Sequence, residues 1–303
     1  MGLLVLLAEA AVVIVVAVTA GLVWRLNRPP RQTYGWALGR GLPTDPAELG
    51  LSFEERSLLL VDGTETPAWI VEGHCAGGPT VIVSHGFGDS RYRMLEHLDV
   101  IAARARQVVV YDLRAHGEAE SRLCHWGGKE VRDLLTIVDQ TAAGRPVVLW
   151  GYSMGAGVSY LAAALDDQDR IAGVIADGIG RHRLEPIAGH LRQHRYPVQP
   201  FLALATAYCV LSGTWSRPLG LLPVAKDVRC PVLMLHGDAD PLCPLESTRQ
   251  LAGATVDCDL VVIAGGGHLD LIEVDRDRYI QAVDRFLARL GSSTCTPHPQ
   301  VAP

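Results

Sequence analysis

The 303-residue chain contains no C-x-x-C pair. Its seven cysteines stand singly at positions 75, 124, 209, 230, 243, 258 and 295. That spacing excludes a zinc finger or a dithiol redox motif, and no metal site is expected. An odd, scattered set is expected as free thiols in a reducing compartment. No repeat of roughly 20–50 residues occurs, which excludes solenoids and propellers. Charge of one sign is also scarce. Lys and Arg number 27 against 33 Asp and Glu, a net charge of -6. That is mild, and its sign is wrong for a nucleic-acid partner. Hydrophobic residues make up 49% and charged residues 20%, so the chain can bury a sizeable core and is not disordered. Its length suits one large domain or two small ones.

The N-terminus lacks what a secretory leader needs, since no basic residue precedes its apolar run. It also has Leu6 where a myristoylation signal requires Ser or Thr. What it has is "LLVLLAEAAVVIVVAVTAGLVW" at 3–24, with Glu9 as its one charge. At about 1.5 Å rise per residue this covers the roughly 30 Å of a bilayer's hydrocarbon core. A buried helix is rarely apolar on every face. Residues 1–24 therefore read as a single transmembrane helix or signal anchor. A cleaved signal peptide, with Val18 and Ala20 at the cut, is the alternative. Arg25, Arg28 and Arg31 follow, and the positive-inside rule places the remaining domain in the cytoplasm, in agreement with free thiols.

A Pro/Gly-rich stretch at 25–49 reads as a linker. Beyond it, near-continuous apolar runs at 80–86, 107–113, 146–151, 171–178, 231–238 and 259–267 alternate with helical patterns. Such runs suit strands of a parallel sheet covered on both faces. Residues 58–73 read as a leading hairpin turning at Asp62-Gly63. Tyr279, Ile280, Val283, Phe286, Leu287 and Leu290 share one face of a final helix. The fold class is α/β, a mostly parallel central sheet flanked by helices. Between Asp177 and Cys230 no sheet strand is evident, so 178–229 is expected as a small helical cap insertion. Its apolar stretch "FLALATAYCVL" at 201–211 is expected to pack on the core, line an acyl pocket or touch a membrane surface. The tail 292–303 reads as disordered.

"VVLWGYSMGAG" at 147–157 sets Ser153 between Gly151 and Gly155, after a predicted strand and before a predicted helix. In an open α/β sheet, ligands bind at the carboxyl ends of the strands. Small neighbours let a sharp strand-to-helix turn expose the serine oxygen. The hydroxyl needs a base to take its proton. His268 follows the last predicted strand, and Asp238 and Asp240 follow the one before. Each has a plainer reading, a loop histidine or turn chemistry. Together they give the order Ser, Asp, His, each at the carboxyl end of a strand.

With these motifs the chain resembles the α/β-hydrolase superfamily over roughly residues 50–291. "SHGFGDS" (84–90) is similar to that family's oxyanion loop, "YDLRAHGEAES" (111–121) to its Asp-x-Arg-Gly-His-Gly-x-Ser loop, "GYSMG" to its nucleophile elbow, "PVLMLHGDADPLCP" (231–244) to its acid loop and "GGGH" to its histidine loop. Residues 49–73 resemble the leading hairpin of the membrane-associated subgroup named after the yeast Bem46 protein. Ala115 departs from the family's glycine, and Glu120-Ser121 shift its serine. The resemblance implies Ser153 as nucleophile, His268 as base and Asp240 as acid, with Asp238 or Asp177 as fallback acids. It implies the backbone N–H groups of Phe87 and Met154 as oxyanion donors, His85 as a loop support and Cys243 as a passive neighbour. No cofactor is required.

The implied chemistry is hydrolysis of a carboxylic ester, thioester or amide through an acyl-enzyme. A cap beside a membrane anchor favours a lipid-like acyl substrate. The competing expectations are a serine peptidase of the same fold and a catalytically silent scaffold. The sequence names no protein partner.

Overall fold

The computed structural model describes residues 2–142, 144–216 and 219–291. The tail expected to be disordered, 292–303, lies outside them. The strands are β1 (Phe53–Leu59), β2 (Glu65–Glu72), β3 (Thr80–Ser84), β4 (Gln107–Tyr111), β5 (Val147–Tyr152), β6 (Ile171–Asp177), β7 (Val232–Gly237) and β8 (Cys258–Ile263). The helices are α1 (Gly2–Asn27), α2 (Tyr34–Leu38), α3 (Leu95–Ala102), α4 (Gly128–Thr141), α5 (Met154–Leu165), α6 (Glu185–Gln193), α7 (Phe201–Leu211), α8 (Leu245–Ala254), α9 (Leu271–Val274) and α10 (Arg276–Arg289).

One eight-stranded sheet runs in the order β1-β2-β4-β3-β5-β6-β7-β8. The β1–β2 hairpin and the β2–β4 pairing are antiparallel, and the other pairings are parallel. The apolar runs explain this. Every residue of β3, β5 and β7 is buried. Ile82, Val109, Leu149 and Val174 face one layer, with α4, α5 and α8. Val81, Val110, Trp150 and Ile175 face the other, with α3 and α10. The run that forms β8 is only half-buried, because β8 is an edge strand.

All the parallel strands point their carboxyl ends to one edge, where the expected cap inserts. After β6 the chain makes α6, α7 and a 3-10 turn at Leu222–Asp227 before re-entering the sheet as β7. Among its described residues the 178–229 region adds no strand, only an isolated bridge between His182 and Gly220.

Two features differ from the sequence reading. The segment read as a linker is not bare chain. It holds α2 and a 3-10 turn at Pro46–Leu49, and Arg31 donates to the carbonyls of Ala115, Ala119 and Ser121. The last turn of α1 is also part of the domain. The Leu26 carbonyl accepts from the Trp126 indole at 2.9 Å, and Asn27 Oδ1 accepts from the Trp215 indole at 2.7 Å. These partners lie about 100 and 190 positions away, beyond any local pattern. Second, the cysteines are not all free thiols. Cys124, Cys209, Cys230, Cys243 and Cys258 are free, but Cys75 is disulfide-bonded.

Candidate active site

Ser153 sits between β5 and α5 with φ 50° and ψ -109°, a region that costs a non-glycine residue about 1–3 kcal/mol. The neighbouring glycines make this turn possible. A Cβ on Gly151 would lie 2.3 Å from the Gly155 carbonyl oxygen, and one on Gly155 would lie 2.0 Å from that of Ser84. Only bare backbone fits at both places. Ser153 N–H donates to the Asp177 carbonyl at 2.8 Å, which ties the turn to β6.

His268 Nε2 lies 2.9 Å from Ser153 Oγ, and its Nδ1 lies 2.7 Å from Asp240 Oδ2. The residues come from three loops, after β5, β7 and β8, separated by 115 and 28 positions. An ionised Asp240 only accepts, so Nδ1 carries the proton and Nε2 receives that of the serine. Burial opposes the charge on Asp240. The bond to His268 and the N–H groups of Cys243 and Leu242, at 2.9 and 2.7 Å, outweigh it and hold the carboxyl below its ordinary range.

The other aspartates are placed differently. Asp238 is exposed and accepts from Gly265 N–H at 2.7 Å, closing a turn. Asp177 is buried and accepts from the Tyr279 hydroxyl at 3.0 Å. Burial pushes its carboxyl up to about 7, only partly offset by Tyr279 and His268. Neither bonds His268.

The N–H groups of Met154, at the start of α5, and of Phe87 have no hydrogen-bond partner among the described residues. Met154 also lies at the positive end of the α5 dipole. His85 braces the Phe87 loop. Its Nε2 accepts from Leu113 N–H at 2.9 Å, which leaves Nδ1 to donate to the Gly86 carbonyl at 2.8 Å. Burial lowers its pKa and keeps it neutral. It does not reach Ser153 as a base. The 111–121 loop is tied into the domain by ion pairs. Arg91 pairs with Asp112 at 2.6 Å, and Arg114 grips Asp133 through two bonds of 2.8 Å. Ala115, where relatives carry glycine, adopts φ 66°.

The potential ligand atoms of Asp240, Cys243 and His268 lie within 4.8 Å of one another. Two of the three already face each other across a hydrogen bond. Burial pushes the Cys243 thiol far above its ordinary range.

A cavity of about 20 Å³ adjoins Ser153, walled by Trp126, Met154, Ile179, Arg183, Pro186 and Leu221 among others. This is room for about one water. Sequence reasoning missed Trp126 and Arg183. Trp126 stacks on Phe87 with ring centroids 4.7 Å apart, and Arg183 donates to the Trp126 carbonyl. No local pattern marks either residue. No residue of α7 lines this cavity.

The fold has many solved counterparts. The Pyrococcus furiosus esterase Pf2001 superposes with a TM-score of 0.69 at 20% identity, covering 86% of this chain and 99% of that one. The esterase RhEst1 from Rhodococcus sp. ECU1013 gives 0.59 at 18% identity, covering 78% and 99%. At these identities the likeness shows the fold. The uncharacterized protein YqkD of Bacillus subtilis (strain 168) is 28% identical over 222 residues, 71% of this chain and 73% of that protein. The family model described as "Alpha/beta hydrolase family" matches residues 81–282, well over half of the chain. The chain belongs to the α/β hydrolase family.

Proposed function

We propose that this hydrolase is a membrane-tethered serine hydrolase that cleaves a carboxylic ester or thioester. The observation that carries the reading is the continuous hydrogen-bond chain Ser153–His268–Asp240 on a strained turn. His268 takes the Ser153 proton as Oγ attacks the carbonyl carbon. The tetrahedral oxyanion settles between the N–H groups of Phe87 and Met154, where one such donor is worth about 3–4 kcal/mol. His268 hands its proton to the leaving alcohol or thiol. Water then attacks the acyl-Ser153 by the same route and releases the acid. Asp240 fixes the His268 tautomer and stabilises its charged form.

The tether is α1. It is 26 residues long, and its apolar 18-residue window has a mean hydropathy of 2.8 and is unburied. Two features bear on orientation and oppose each other. Arg25 and Arg28 favour a cytoplasmic domain, whereas the disulfide at Cys75 belongs to an oxidising compartment. Reporter fusions after Gly291 decide between them: active alkaline phosphatase marks the outside, and a fluorescent protein marks the cytoplasm.

Ser153→Ala tests the chemistry. It should lower kcat on a short p-nitrophenyl ester by on the order of 10^6 and abolish fluorophosphonate labelling, with cooperative thermal unfolding retained. Near wild-type turnover in the alanine variant would remove Ser153 from the reaction. A chain that unfolds normally but never labels would be a silent scaffold.

A further inference from the structure

α1 does not project from the domain alone. Val15, Thr19, Leu22 and Val23 are half-covered, and Leu26 and Asn27 are buried, whereas most other α1 positions are exposed. These positions recur at helical spacing and form one stripe. α7 packs along it, and Asn27 Nδ2 donates to Cys209 Sγ at 3.5 Å. From Val15 to Leu26 the stripe extends about 16 Å, roughly half the thickness of a bilayer's hydrocarbon core.

The opposite face of α7 is uncovered among the described residues. Ala203, Leu204, Ala207, Tyr208 and Leu211 are all exposed, Leu211 at 87% and Tyr208 at 60%. All 11 residues of α7 are uncharged. No Asp or Glu occurs anywhere from 186 to 226. Trp24, Arg25 and Arg28 at the end of α1, and Arg192, Arg195 and Tyr196 at and just after the end of α6, are exposed. Arg25 is close enough to His190 to oppose its protonation. Aromatic and basic residues bordering an apolar surface are what a membrane-water interface selects.

We propose that the cap helix α7 is immersed in the leaflet adjoining the domain, alongside α1, so that the cap is a second membrane-contacting element that holds the Ser153 edge of the sheet against anionic lipid. The proposal rests on α1 being a membrane anchor. Once α1 enters the bilayer, its contact with α7 fixes the depth of α7, because a helix packed with Leu22 and Val23 in one cluster is drawn toward the acyl chains with them. The substrate class that follows is an acyl group carried by a membrane lipid or a lipid-modified molecule.

The test uses the full chain in vesicles of equal parts phosphatidylcholine and phosphatidylglycerol. A photoreactive benzoylphenylalanine replaces Leu204, Leu211 or, as a control, the exposed Val256, which precedes β8 at the opposite edge of the sheet. Cooperative unfolding confirms that each variant folds. After irradiation, mass spectrometry should find phospholipid adducts at positions 204 and 211 at least tenfold above position 256. Equal yields at all three positions, with the protein retained through a carbonate wash, would overturn the immersion of α7 and leave the anchor standing. Crosslinks between copies of the chain at 204 or 211 would overturn it in favour of a self-association face. Release by carbonate would remove the anchor, and the proposal with it.

Discussion

The loops that leave β6 and β7 begin alike and diverge. Each offers a carboxylate close to His268. In the β6 loop Asp177 is sealed among aromatic rings, meets one hydroxyl and titrates near neutrality. In the β7 loop Asp240 receives two backbone N–H groups and an imidazole N–H, and titrates below its ordinary range. Burial alone gives a neutral acid. Burial plus convergent donors gives a fixed anion. The chain also continues differently. After β6 it leaves the sheet to build the cap, while after β7 it turns within a few residues into α8. One loop builds the cap, and the other holds charge.

The largest test of this contrast is Asp240→Asn. An amide can hold His268 in the wrong tautomer, so kcat should fall by about 10^4. Asp238→Asn, which only weakens the turn to Gly265, should stay within about threefold. The reverse ranking, measured on one short ester, would move the acid to Asp238 and break the comparison. Next is Leu221→Ala, which opens the cap side of the cavity. It should cost about 2–5 kcal/mol of stability and raise kcat/KM for butyryl over acetyl esters, by up to roughly fourfold per methylene accommodated. An unchanged chain-length profile would mean that the β6 loop does not shape the pocket.

Asp177→Asn sharpens the contrast through pH. Folded Asp177 titrates near 7, against an ordinary value of 3.8. Between these values the native state binds more protons than the unfolded state, so stability falls as pH rises from about 4 to 7. The full effect is on the order of 2–4 kcal/mol. In the asparagine variant, chemical denaturation across that range should show a flatter decline. An unaltered pH profile would mean that Asp177 titrates normally.

The same two loops show what a sequence discloses. The strand ends and the order Ser, Asp, His were legible, because near-continuous apolar runs mark buried strands and function collects at their carboxyl ends. Choosing Asp240 over its neighbours was legible only through resemblance, since three aspartates fitted the order. The donors that separate them are backbone groups, which leave no trace in residue identity. The cap was legible as a gap in alternation, but the covering of Ser153 by Trp126 and Arg183 was not. The interlocking of 25–31 with the domain was hidden for a similar reason. Pro and Gly signal loose chain locally, whereas Arg31 and Asn27 are fixed by carbonyls, a thiol and an indole far along the sequence.

The Leu26–Asn27 junction has a practical consequence. The covalent boundary of the folded unit lies inside α1, not after it. Trp126 is at once the residue that binds the Leu26 carbonyl and the ring that lies on Phe87. A protease or a cloning strategy that removes everything before Arg28 would strand the buried indole donors of Trp126 and Trp215, at about 1–3 kcal/mol each, and loosen the wall behind Phe87. A cut before Leu22 would spare both. Removing the apolar helix and disrupting the folded unit are therefore separable by a handful of residues, and the position of the scission decides whether the domain keeps its packing.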